Sequence, residues 1–373
     1  MSHLQLNNSS PRSSISITAI SPPAPSHPKL EVKSKPIPPI TLPLRTKQKE
    51  EDAVVITVPT ISIWTAAEQG DIATLTYYIR QSPDPVAMLN KRDPKTECTL
   101  LHLAVSHAPE PYAVLDLLLT HGADPCARNV YNVQALHTIP LHCQAPRDCL
   151  ALLLAHGAHV NGRDGDGWTP LHYATRFCQS SLLPVLELLI QHGADVSLVD
   201  SSRKTPLFGL LANGDHVEAL AYLIQIAHSP LHLRGDFLDP ITRRTHPGSI
   251  ILQAAKYLRL DCLDWLLHSS TAMDQLNPIL TRTELNYALR LVQQQQQKKP
   301  HVCQKIITLL ETLFTTIRDD TEIGTTHKRL SILSIRRREP QHNNDNDDYS
   351  QFSDDNIDKK PKFLERMISL LTK

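Results

Sequence analysis

Two separate phrases recur along this chain on a common beat of about 35 residues, and that beat limits the fold more than any other feature. The first runs Thr99-Leu100-Leu101-His102, returns weakly as Ala135-Leu136-His137, and is clearest as Thr169-Pro170-Leu171-His172. His102, His137 and His172 stand 35 positions apart, and Thr205-Pro206-Leu207-Phe208 follows one position late. The second phrase reads LLLTHGADP, LLLAHGAHV and LLIQHGADV, ending at Pro125, Val160 and Val196. A repeat of this length is one supersecondary unit that cannot bury its apolar faces alone, so neighbours must stack. The expectation is a one-dimensional solenoid rather than a single globular core.

Within a unit, the residue types call for a turn followed by two antiparallel helices. The stretch DGDGWTPLHYAT, residues 164–175, would by itself suit a calcium loop, a phosphate cradle or a hairpin corner. It lacks the downstream ligands and bidentate Glu of a calcium loop, and its recurrence makes it a corner. Gly165 and Gly167 permit the positive φ of a tight turn. Thr169 is placed to cap the first helix, with Pro170 at the first position, where a missing N–H costs nothing. Thr99, Thr205 and Pro206 occupy the same places in neighbouring units. Leu186, Leu189 and Ile190 keep helical spacing in the second helix. Gly193 then stops that helix in the left-handed conformation, as Gly157 and Gly122 do one and two units earlier.

Once the period is known, weaker copies become visible. Ile63-Trp64-Thr65-Ala66-Ala67 with Gly70-Asp71 fits before the clear units; Ile251 to Ala255, Cys262 to Leu267, Leu285 to Ala288 and Ile306 to Leu310 fit after them. This gives about seven units between residues 60 and 317, the first and the last two degenerate. Phe208 and Leu252 are 44 residues apart, so an enlarged loop is expected near 228–248. Its Arg234, Phe237, Arg243 and Arg244 suit either a second recognition element or a disordered insertion. The run Gln293 to Gln297 is expected to lengthen the loop between the last two helices.

The flanks have a different character. Residues 1–52 are Ser/Pro-rich without an apolar period and are expected to stay unfolded. Within them Lys33-x-x-Pro36-x-x-Pro39 matches a ligand for a polyproline-reading domain. The repeat domain is expected over 53–317, with a short strand at Ala53 to Val58. A disordered polar linker should follow over 318–360, and a short amphipathic helix over 361–373, carrying Phe363, Leu364, Met367, Ile368 and Leu371. That helix would either dock on the last unit or engage a partner. Arg336 to Arg338 and Lys359-Lys360-Pro361-Lys362 fit either a nuclear-import signal or a solvated charge run.

Charge is balanced, with 38 basic and 38 acidic residues, so no general nucleic-acid surface is expected. Seven scattered cysteines without a CxxC pair argue against a disulfide framework and for an intracellular protein, cytoplasmic or nuclear. No apolar run is long enough for a membrane span, and no membrane role is expected. The 19 histidines invite a zinc site, but the recurring ones sit one per unit, and packed helices lie about 8–10 Å apart. Zinc needs its nitrogens within about 2.1 Å, so these histidines should instead tie one hairpin to the next. His142-Cys143 with Cys149 matches no zinc spacing. Neither a GxSxG elbow nor a GxxxxGK[ST] loop occurs. No metal, cofactor or catalytic residue is expected, and the chain reads as a non-enzyme.

The TPLH phrase, the alanine after it, the LL-x-x-G-A-D phrase and the period together resemble the ankyrin repeat family over about residues 60–317. The resemblance implies an all-α solenoid of helix-turn-helix repeats with short β-hairpin fingers, binding proteins through a concave face of fingers and first helices. Departures are Leu100 where proline is usual, Gln134-Ala135 for Thr-Pro, the long loop and the degenerate end units. By the same resemblance the partner-facing residues are Arg128, Tyr131 and Val133 in the third unit and Arg163, Asp166, Trp168, Arg176 and Phe177 in the fourth. Val130 joins the third unit's set and Gly165 the fourth's, and the fifth unit offers Ser201, Ser202 and Lys204. Trp168 would be either a partner anchor or a ring lying flat on the next finger. Alternatives to a plain interaction scaffold are a nuclear, transcription-associated adaptor and a substrate-recruiting adaptor of a larger enzyme complex.

Overall fold

In the computed structural model, residues 58–239 and 243–317 are described. Seven helix pairs follow one another: α1 (Ile63–Gln69) with α2 (Ile72–Gln81), α4 (Leu100–His107) with α5 (Pro111–Thr120), and α6 (Ala135–His142) with α7 (Pro146–Ala155). Next come α8 (Pro170–Phe177) with α9 (Leu182–Gln191), and α10 (Pro206–Asn213) with α11 (Val217–Ala221), which runs on as a π-helical turn over Tyr222–Ile226. The last pairs are α12 (Ile250–Lys256) with α13 (Leu260–His268), and α15 (Arg282–Gln294) with α16 (Pro300–Thr316). Two short helices that the repeat pattern does not announce, α3 (Pro85–Leu89) and α14 (Ser270–Leu276), fill the connections after α2 and α13.

The pairs form two rows. First helices α1, α4, α6, α8, α10, α12 and α15 pack each against the next, and second helices α2, α5, α7, α9, α11, α13 and α16 do the same. The core is therefore a ribbon between the rows, running from Ala66 to Ile317 with no central point. Leu75, Leu115, Leu150, Leu186, Leu220, Leu263 and Leu310, one from each second helix, are fully buried in it.

Local chemistry sets the helix ends. Ser62 accepts the Thr65 N–H at 3.1 Å, and Asp71 the Thr74 N–H at 3.0 Å. Thr169 and His172 form a reciprocal capping box, whereas at α6 only the returning half is made, the Gln134 N–H donating to His137 Nδ1 at 3.3 Å. Gly193 follows α9 at φ +85 with open space around its Cα, so only backbone conformation demands glycine there.

The fingers correct the sequence reading in detail. Gly167 has φ +79, whereas Gly165 is not left-handed; its N–H bonds the Tyr131 carbonyl of the preceding finger at 3.2 Å. The left-handed place held by Gly167 is held elsewhere by Glu97, Asn132 and Arg203, at φ 55, 61 and 56. In the earlier fingers strand pairing amounts to isolated bridges, Arg92 to Thr99 and Arg128 to Gln134. A true ladder occurs in the long connection of unit six: β1 (Gly235–Leu238) pairs antiparallel with β2 (Thr245–Gly248), with Phe237 opposite His246. Phe237 is buried against Phe208, so the connection is an extended finger folded onto the stack. The glutamine run ends α15 and makes its turn, with Gln295 donating to the Lys256 carbonyl at 3.0 Å. The strand expected at 53–58 lies outside the described residues except for Val58, which is in no strand.

Candidate protein-binding surface

Each finger is built around one side chain that binds its own backbone. Asn129 Oδ1 accepts the N–H groups of Tyr131 and Val133, Asp164 Oδ1 those of Asp166 and Trp168, and Asp200 Oδ1 those of Ser202 and Lys204. Asp93 does the same for Thr96. These are Asx turns, and they hold each corner shut.

Arginines then join finger to finger. Arg92 Nε donates to the Arg128 carbonyl at 3.0 Å, Arg128 Nη1 to the Arg163 carbonyl at 2.6 Å, and Arg163 Nη2 to the Val199 carbonyl at 2.6 Å. In unit five Val199 interrupts the series, and Arg203 pairs with Asp236 of the extended finger. Beneath the arginines runs a second line of ties. His102 Nε2 lies 2.9 Å from the Val133 carbonyl, His137 Nε2 3.0 Å from that of Gly162, and His172 Nε2 3.1 Å from that of Lys204. Burial holds His102 at about 4, His137 at about 3 and His172 at about 4, so all three are neutral near pH 7. A neutral imidazole can donate from Nε2 while Nδ1 faces the cap residue, the arrangement a joint of this kind requires.

On the fourth unit an aromatic cluster sits where finger meets first helix. Trp168 stacks on Phe177 with centroids 5.9 Å apart and meets Tyr173 edge-on at 5.6 Å. Arg176 lies 5.3 Å over the Phe177 ring. Tyr173 is buried and donates to Asp164 Oδ2 at 2.8 Å, but Trp168, Arg176 and Phe177 are half-buried and keep an outward face. Burial also lifts the Asp164 carboxyl to about 6.

The residues singled out for partner contact divide into three groups. Val133 is a correction: it is 0% exposed, sealed under the third unit, and cannot meet a partner. Arg128 and Arg163 reach the neighbouring finger's carbonyls. Tyr131, Asp166, Trp168, Arg176, Phe177 and Lys204 remain partly open, with the Lys204 ammonium 4.8 Å over the Phe237 ring. Sequence reasoning missed Lys256 and Tyr257, which follow Ala254-Ala255 of unit six as Arg176-Phe177 follow Ala174-Thr175 of unit four. Laying the degenerate unit on the clear one would have exposed the match. It also missed the Asx residues and Arg92, whose signal is the dipeptide Arg92-Asp93, Arg128-Asn129, Arg163-Asp164 on the same beat.

Stacked helix pairs with their fingers bonded side by side define a repeat protein that displays an extended surface on a stiff support. More specifically, the chain belongs to the ankyrin repeat family. The family profile described as ankyrin repeats (3 copies) matches residues 101–200. An ankyrin repeat protein of Rickettsia conorii is 42% identical over 51 residues, 14% of this chain and 71% of its own length. Ankyrin repeats are in general protein–protein interaction modules. Among the described residues, no helix is long and apolar enough to cross a membrane.

Proposed function

We propose that this chain is a non-enzymatic interaction module that grips a protein partner on the face made by its fingers and first helices, centred on the fourth unit. The observation that carries the reading is the half-open trio Trp168, Arg176 and Phe177 on a support held by two lines of hydrogen bonds. Aromatic residues and arginine dominate binding hot spots because they offer large area and directional bonding at low entropic cost. A preorganised surface loses little freedom on binding, so more of its contact energy appears as affinity.

Capture by the tagged full chain, followed by affinity measurement on the protein retained, tests this. Phe177→Ala and Arg176→Ala should each weaken capture at least about tenfold, equivalent to roughly 1.4 kcal/mol. Asp116→Ala, on the exposed side of α5, should leave capture unchanged. Wild-type capture by folded F177A and R176A proteins would defeat the assignment. The polyproline-type segment Lys33 to Pro39 and the basic clusters at Arg336 and Lys359 lie outside the described residues. The nuclear and substrate-recruiting readings therefore draw no support from the described fold.

A further inference from the structure

The corner between α6 and α7 carries two sulfur atoms. Cys143 caps the end of α6, its N–H bonded to the Ile139 carbonyl at 3.0 Å, and Cys149 is the fourth residue of α7. The same two places hold Ala108 and Val114 in unit two, and Cys178 and Val185 in unit four. Ala108 and Val114 lie together beneath Gly70, where an added Cβ would meet them at 3.7 and 3.9 Å. Packing across the corner is thus satisfied without sulfur. Of the seven helix pairs, that of unit three alone has a thiol at both places.

The two thiols touch. Cys143 donates its S–H to the Cys149 sulfur, which draws Cys149 below the ordinary thiol range and pushes the donor above it. The other five cysteines are all shifted upward by burial. Two of those donate to carbonyls instead, Cys126 to Gly157 at 3.4 Å and Cys178 to Ser180 at 2.9 Å. Exposure divides the roles within the pair. Cys143 is half-buried and followed by exposed Gln144 and Ala145, whereas Cys149 is 3% exposed. A thiol within reach of solvent, backed by a second that can resolve its first product, has the layout of a redox-responsive pair.

We propose that Cys143 and Cys149 are a reversible modification site, which a small-molecule disulfide of the glutathione type oxidises to a disulfide tying α6 to α7. Cys149, as thiolate, takes the Cys143 proton along their hydrogen bond while the Cys143 sulfur attacks the small disulfide. The oxidant's S–S bond breaks, a mixed disulfide forms on Cys143, and the departing small thiolate takes that proton from Cys149. The Cys149 sulfur then attacks that of Cys143 and expels the second small thiolate, which picks up the proton Cys149 first gave to solvent. Two protein thiols lose two electrons and two protons, and one small disulfide gains them to become two thiols. The site lies at the helix–helix corner, away from the finger tips, and does not depend on what the binding face grips.

Tryptic mass mapping of the full-length chain after exposure to oxidised glutathione tests this. Arg147 lies between the two cysteines, so cleavage leaves them on one product only if they are bonded. Remaining thiols are capped with N-ethylmaleimide before digestion. The natural chain should yield peptides 129–147 and 148–163 joined through Cys143 and Cys149, and dithiothreitol should part them. Cys143 should be consumed at least about tenfold faster than Cys126, the other half-buried cysteine. Cys143→Ala and Cys149→Val bring in the residues that unit two uses, so both variants should fold, with circular dichroism as the check. C149V should stop at the mixed disulfide on Cys143, and C143A should leave Cys149 as a free thiol. A natural chain that resists the oxidant, stops at the mixed disulfide, links Cys143 to another cysteine, or loses Cys126 as fast overturns the proposal.

Discussion

Units four and six do the same job with different means. In unit four a tight corner, a capping box and a neutral histidine make the joint to the next unit, and the tie ends on a carbonyl. In unit six the corner is a two-stranded ladder, and the joint forward is ionic. Arg234 pairs with Glu284 and bonds the carbonyls of Ile279 and Pro247, while Glu284 Oε1 takes the Ser249 N–H at 2.6 Å. Glu284 is 6% exposed. The contrast teaches that a joint can change both its chemistry and its place: Leu252 stands in unit six where His172 stands in unit four, and Arg234 of the extended finger makes the tie instead. A histidine tie needs only one uncharged ring per unit, whereas a buried ion pair needs both partners at once.

The largest expected effect strikes the ionic joint. Glu284→Ala leaves the Arg234 guanidinium partly buried without its carboxylate and should cost about 3 kcal/mol. The loss should appear in urea melts as an early transition confined to the last units. A single unshifted transition would show the joint to be dispensable, and the double variant E284A with R234M should recover part of the loss.

Acid separates the two kinds of joint next. His102, His137 and His172 sit below their ordinary 6.5 because burial disfavours the charged ring, and His142 shares that sign at about 4. The unfolded chain therefore takes up protons first. Stability is complete above about pH 6.5 and drains toward pH 4, by about 1 kcal/mol per histidine per pH unit. Asp164 opposes this: with its carboxyl lifted to about 6, it adds stability as pH falls from 6 toward 3.8. The histidines outnumber it, so urea midpoints should fall between pH 7 and 5.5, and His172→Gln should flatten the slope. A flat profile in the natural chain would mean that the rings are not held neutral.

The smallest effect concerns finger corners. Glu97 adopts φ 55 where unit four has glycine, so Glu97→Gly should raise stability by about 0.5–1 kcal/mol. Calorimetry showing a loss instead would assign Glu97 a tie beyond its backbone.

The recurring phrases made the stack legible because they lie at caps and helix ends, where backbone geometry admits few residue types. Side-chain direction at finger tips was less legible. Val133 stands beside exposed Asn132, but its N–H is bound by Asn129 and its carbonyl by His102, which turns the side chain inward. The unit-six finger escaped notice because what orders it is distant in sequence: Phe237 against Phe208, Arg203 with Asp236, Arg234 with Glu284. Tyr257 and Lys256 were hidden by the erosion of the phrase before them, although their place in the period was intact.

The arginine and histidine ties made from units two to four all finish on main-chain oxygens, which every amino acid supplies. A unit can thus be duplicated, lost or exchanged in that stretch and still find its neighbour's anchor waiting, whatever side chains the newcomer brings. The Arg234–Glu284 joint offers no such freedom, since a newcomer would need the matching charge. Growth of the array by copying is therefore open in its middle and closed near its last pair.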